Sequence, residues 1–181
     1  VESKERPVWR EQLMSSILNK VTALQQYLDQ KIDSAPAFIA SDKLHAWEIL
    51  KNAAGVCKIA VGFQGAEARV NFPGGDITGR ENQTFYAIIS RGRGLNMTRS
   101  DNLTVGSGGG LPLFQLAEQM RDMMRAIRFD PTSDEPTNYN SLQQWNELSF
   151  DIDAYICEIW VGTQLAQPSA TPNNTRILPA G

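Results

Sequence analysis

Histidine occurs once, at His45, and cysteine only twice, at Cys57 and Cys157, in a chain of 181 residues. One imidazole excludes the usual multi-histidine metal sites, and no serine or cysteine motif frames His45 as the base of a nucleophile. His45 stands between Leu44 and Trp47 on an expected helix and reads as a helix-surface residue. Two cysteines so far apart make neither a disulfide framework nor a zinc knuckle; both sit in apolar runs, where a free thiol behaves as a small hydrophobe. Positive charge is also short, with 17 Lys+Arg against 20 Asp+Glu and a formal net charge of −3. That balance offers no global attraction to nucleic acid or anionic lipid. The longest apolar runs, Ile59 to Phe63 and Ile156 to Val161, fall far short of the ~20 residues that span a bilayer. No basic-then-apolar leader opens the sequence, so a cytosolic origin is expected. The Asn-x-Thr triplets at Asn82, Asn96, Asn102 and Asn173 are read as chance in an Asn/Thr-rich chain rather than as glycosylation sites.

What is present is ordinary globular composition, 41% hydrophobic and 20% charged, and a length that fits one domain with a real core. Trp9, Leu13, Ile17, Val21, Leu24, Leu28 and Ile32 recur at steps of three or four, one stripe of a long amphipathic helix. Pro7 suits its first turn, and Asp33 to Pro36 ends it. Ser41 or Asp42 is expected to cap a second helix running to about Ala54, with Leu44, Trp47 and Leu50 inward and Gly55 as its stop. The period then changes. Cys57, Ile59, Val61 and Phe63 alternate as a strand, Gln64-Gly65 offers a turn, and Ala68, Val70 and Phe72 form an expected return strand. Thr84 to Arg91 is apolar on both faces and belongs in mid-sheet.

Residues Gly92 to Gly110 read as a long loop, dominated by Gly, Asn, Thr, Ser and Arg; loops of that length in compact domains are functional or disordered. Pro112 opens a helix striped by Leu113, Leu116, Ala117, Met120, Met124 and Ile127. A polar stretch follows to about Tyr139. From Leu148 onward a long strand alternates, wet on one face at its start and apolar on both faces later except at Glu158. The chain is thus expected to be a single α/β (α+β) domain over residues 1–165. An antiparallel or mixed sheet of about four strands packs on two or three helices. Residues 166–181, polar and Pro-rich, form an extended C-terminal tail held by a neighbouring subunit.

The glycines before Pro112 fail as a phosphate loop, because no Lys-Ser/Thr pair follows and Gly106, Gly108 and Gly110 do not have GxGxxG spacing. Arg91-Gly92-Arg93-Gly94, with Arg99 nearby, is a poor match to an acyl-CoA pyrophosphate loop of the acetyltransferase type, since Asn96 stands at the final small position. Asp151 and Asp153 share one strand face, read as an exposed face or as partners for arginines of another chain. Glu158, among Ile156, Ile159 and Trp160, is costly unless paired; an intersubunit partner such as Arg91 or Arg128 is expected, with a role as a general acid the less favoured reading. Arg121, Arg125 and Arg128 form a basic helix stripe, a solvated face or a contact surface for acidic partners.

The long N-terminal helix, the short second helix ending in Gly55, the strands VCKIAVGF and TFYAIISR, the long loop, the helix LPLFQLAEQMRDMMRAIRF and the closing strand DIDAYICEIWVG together resemble the tail terminator proteins of long-tailed bacteriophages. The resemblance covers most of residues 8 to 165. It implies a hexameric ring that caps the tail tube, stops its polymerisation, meets the head-completion or neck proteins, and leaves a channel through which DNA passes unread. It implies a virion location after assembly in the host cytoplasm, with no membrane partner, no cofactor and no catalytic residue. The long loop and the tail exceed the family pattern. The expected subunit or partner contacts are Arg91, Arg93, Arg99, Gly106, Gly108, Gly110, Arg121, Arg125, Arg128, Glu158 and Arg176. Another head-tail joining protein, or less favourably an acyl-CoA-binding enzyme, is the alternative.

Overall fold

The computed structural model describes residues 8–51, 56–71, 78–93, 96–106, 110–127, 129, 139–145 and 152–164. The elements run α1 (Val8–Lys31), β1 (Ala37–Ile39), α2 (Lys43–Leu50), β2 (Cys57–Asn71), β3 (Thr78–Gly92), α3 (Arg99–Thr104), α4 (Leu113–Ala126), β4 (Tyr139–Gln144) and β5 (Ile152–Gln164). The strands make one open mixed sheet in the order β1-β2-β3-β5-β4. Only β1 lies parallel to its neighbour, the other pairings being antiparallel.

Strand alternation divides the core into two layers. One face carries Cys57, Ile59, Val61, Phe85, Ala87, Ile89, Cys157 and Ile159 against Val21, Leu24, Leu28 and Ile32 of the α1 side and Leu113, Leu116, Met120 and Met124 of α4. The other carries Ala60, Tyr86, Ile88, Ala154 and Ile156 under Ala46 and Leu50 of α2, with Trp145. β2 and β3 are therefore buried on both faces, which accounts for their near-continuous apolar runs.

Several sequence expectations are corrected. Asp42 caps α2, accepting from the His45 N–H at 2.8 Å. That cap phases the helix so that Ala46 and Leu50, four apart, point inward, and Leu44 is left 71% exposed. Gln64-Gly65 is no turn: β2 runs through it, absorbing the extra residue as an irregularity between Phe63 and Gly65. Residues 72–77, which include Phe72 of the expected return strand, lie outside the described residues. The loop after Gly92 contains α3, and β1 and β4 are strands that the sequence pattern missed.

The β1 edge is closed by side chains of α1. The Ala37 N–H donates to Asp29 Oδ1 at 2.9 Å, and Gln25 Nε2 donates to the Ala37 carbonyl at 2.8 Å. These are backbone groups a further strand would otherwise use. Replacing Asp29 by alanine is expected to destabilise the domain by about 1–2 kcal/mol, the cost of leaving a partly buried donor without its acceptor. A lowered urea midpoint with an unchanged slope is the measurement; an unchanged midpoint refutes the role.

Candidate subunit-contact site

Cys57, Arg91 and Asp153 stand opposite one another across β2, β3 and β5, so their side chains share the α1/α4 face. Asp153 is only 3% exposed and Arg91 only 4%. Asp153 is therefore not on an exposed strand face, and Arg91 is not a surface contact, both contrary to expectation. A buried carboxylate persists only if its lone pairs are taken up. Arg93 does this with two bonds, Nε to Oδ2 at 2.9 Å and Nη2 to Oδ1 at 2.8 Å. Asn102 Nδ2 adds a bond to Oδ2 at 2.8 Å, and Arg99 Nε lies 3.2 Å from Oδ1. Burial works to raise the Asp153 pKa, but the hydrogen bonds from Arg93 and Asn102 and the charges of Arg93 and Arg99 hold it below the ordinary 3.8.

These contacts fold the segment that the composition presented as a loop. Asn102, itself fully buried, also donates to the Arg91 carbonyl at 3.2 Å, tying α3 to the end of β3. α3 starts on a capping box: Thr98 Oγ1 accepts from the Asp101 N–H at 3.1 Å, and the Asp101 carboxylate accepts from the Thr98 N–H at 3.1 Å. The Arg91 guanidinium donates through Nη2 to the Leu111 carbonyl at 2.7 Å, fixing the chain just before α4.

Gly106 has φ +81, and a Cβ there would run into the Gly110 carbonyl oxygen. The chain thus passes close to itself, Gly106 against Gly110 and Leu111. Val105 and Leu111 are 69% and 40% exposed, and Phe114, 47% exposed, meets Tyr155 edge-on with ring centroids 5.8 Å apart. Three exposed apolar side chains thus lie between the end of α3 and the first turn of α4, and the Arg99 side chain stays 49% exposed.

The other expected contact residues are scattered. Glu158 faces Lys43 of α2 at 3.7 Å within the same chain, rather than Arg91. Such a half-exposed pair is worth at most about 1 kcal/mol. Arg121 lies 3.2 Å from the Asp122 carboxylate on α4, and Arg125 is exposed in its last turn. Gly110 is exposed, with its carbonyl against Gly106. Gly108, Arg128, Arg176, Asp151 and the tail 166–181 lie outside the described residues. Sequence reasoning missed Asn102 and the anchoring role of Asp153; Thr98-x-x-Asp101 was the one local cue. His45 is exposed as expected, with Nδ1 3.2 Å from the Ser41 N–H.

Burial pushes the Cys57 thiol up to about 11 and the Cys157 thiol up to about 12, so both are inert hydrophobes. Among the described residues no group of three or more His, Cys, Asp or Glu side chains is placed to hold a metal, and no helix is long and apolar enough to cross a membrane. No family model matches the chain, and no curated protein matches it in sequence.

Proposed function

We propose that the chain is a structural protein of a bacteriophage virion. It forms a ring at the head-proximal end of a tail, ends tail-tube polymerisation there and joins the tail to head-completion proteins. The order of α1, α2, β2, β3, α4 and β5 supports this reading, since it follows the element pattern of tail terminators. The observation that carries it is the group of exposed apolar side chains Val105, Leu111 and Phe114, which lie between α3, tied to the core by the buried Asp153 carboxylate, and the first turn of α4; exposed apolar side chains suit a contact between copies. A six-fold ring, a tail-tube protein and a neck protein are the partners under this reading, and DNA passes without base contacts.

Native mass spectrometry tests it: a hexamer is expected. Leu111→Asp with Phe114→Asp is expected to weaken assembly at least tenfold with an unchanged circular dichroism spectrum. Removing two apolar contacts forfeits more than the 1.4 kcal/mol that a factor of ten represents. Truncation after Leu165 is likewise expected to leave a folded domain that assembles less well. Full ring formation by either variant sinks the corresponding contact.

A neck protein of different symmetry is distinguished by the subunit number. The acyl-CoA reading is disfavoured by geometry, because Arg91 and Arg93, its intended pyrophosphate donors, are turned onto the Leu111 carbonyl and Asp153.

A further inference from the structure

Among the described residues, most of the large exposed apolar side chains fall into two groups. Val105, Leu111 and Phe114 form the one already described; Phe38, Ile39 and Leu44, on β1 and the start of α2, form the other, while Leu18 and Val56 stand apart in sequence. The groups lie at different places on the sheet. β1 is an edge strand, and β5, whose Tyr155 meets Phe114, stands three places away in the order β1-β2-β3-β5-β4, about 15 Å at the usual strand spacing. Phe38, opposite Ala60, is on the α2 face, whereas Phe114 belongs to α4, which packs on the other face through Leu113 and Leu116. Neither group covers the other within one domain. Because Asp29 and Gln25 occupy the Ala37 backbone groups, the β1 edge offers an incoming surface side chains rather than a ladder.

A closed ring of more than two copies repeats a heterologous contact, in which a surface of one copy meets a different surface of the next. The 105–114 group therefore needs an acceptor elsewhere on the chain, and among the described residues 38–44 is the other grouping of large exposed apolar side chains. Charge favours the same pairing. Glu48 follows Leu44 by one helical turn, so both lie on the outer side of α2, away from the inward Ala46 and Leu50, and its carboxylate is exposed. The cations of this segment are engaged within the chain, Lys43 with Glu158 and Lys51 over the Trp47 ring. On the other surface the half-exposed Arg99 lies against Asp153, and Tyr155, two residues further along the same face of β5, is the residue that meets Phe114. Asp101, the carboxylate nearest Arg99 in sequence, is taken up by Thr98. An anion beside one apolar group and a cation beside the other favour contact between unlike surfaces and oppose contact between like ones. We infer that the surface of residues 38–44, with Glu48, receives the 105–114 surface and Arg99 of a second copy, head to tail, an inference that rests on the ring proposed above.

Two differently tagged full-length variants, Leu44→Cys and Leu111→Cys, are co-expressed, and the purified assembly is treated with a short bis-maleimide. Cys57 and Cys157 are buried and do not compete. Each chain then carries one accessible thiol, so a product with both tags is a link between copies. That product is expected from the Leu44→Cys and Leu111→Cys pair, and not from two tagged copies of Leu44→Cys or of Leu111→Cys. Leu44→Asp with Glu48→Arg, both at exposed positions of α2, is expected to weaken assembly about tenfold or more, measured by native mass spectrometry, with an unchanged circular dichroism spectrum. A native ring that yields no two-tag product, or one that links like positions as readily as unlike ones, overturns the pairing and leaves the ring reading standing. Full assembly of the Leu44→Asp, Glu48→Arg chain does the same. A monomeric native mass of the wild type removes the ring reading and this inference together.

Discussion

Replacing Asp153 by alanine is expected to destabilise the domain by about 3–5 kcal/mol, the range for removing one partner of a buried charge network. The carboxylate accepts from Arg93 and Asn102 and lies against Arg99, so its loss leaves several donors stranded at the ends of β3 and β5. For a chain of this size that corresponds to a drop in Tm of roughly 6–20 °C, read by calorimetry. Asp153→Asn keeps an acceptor and is expected to lose less. A melting temperature unchanged in the alanine variant would show that the cluster is dispensable. The same carboxylate gives the domain an acid sensitivity of defined sign. Its folded pKa lies below the ordinary 3.8, so the folded state binds the proton less readily than the unfolded chain. The stabilisation is complete above that ordinary value and is lost as pH falls through the folded one. Between pH 5 and pH 3 the wild type should lose stability faster than Asp153→Asn, which has no proton to take up at that position.

The second large effect is expected at Gly62. The phenol of Tyr86 lies over this glycine, its cross-strand partner, so that a side chain built there would overlap the ring. Tyr86 is 1% exposed and cannot swing into solvent without breaking the α2 layer. Burial, helped by the Asp42 charge, pushes its hydroxyl up to about 12, so it stays neutral at any ordinary pH. Gly62→Val is expected to destabilise by about 3 kcal/mol through overpacking, and Tyr86→Ala by about 3–5 kcal/mol through a cavity. The double variant should lose well under the sum, because the valine fills part of the space the ring vacates. Additive losses in urea titrations would place the two residues out of contact.

Long periodic elements were legible and short ones were not. In α1 the stripe predicted the buried Val21, Leu24, Leu28 and Ile32, and in α4 it predicted Leu113, Leu116, Ala117, Met120, Met124 and Ile127, because many turns fix one helical face. In α2, only 8 residues long, the same reasoning chose Leu44, which the Asp42 cap rotates outward. The three-residue β1 is held by pairing with β2 and by α1 side chains, and β4 is polar enough to read as loop; neither carries an alternation that a sequence window can detect. The site failed for a related reason. Asp153 alternates with Ile152 and Ala154 as a wet position would, and only the tertiary approach of Arg93, Arg99 and Asn102 converts that position to a buried one.

Residues 96–106 are held by their own domain through α3. A loop that orders only on docking gives up roughly 1–2 kcal/mol of backbone freedom for each residue it fixes. Here the capping box of α3 and the Asp153 anchor have already removed that freedom. Under the proposed ring, encounters between subunits can therefore be short and still productive, and assembly speed should depend on collision frequency and orientation more than on slow rearrangement of the arriving surface.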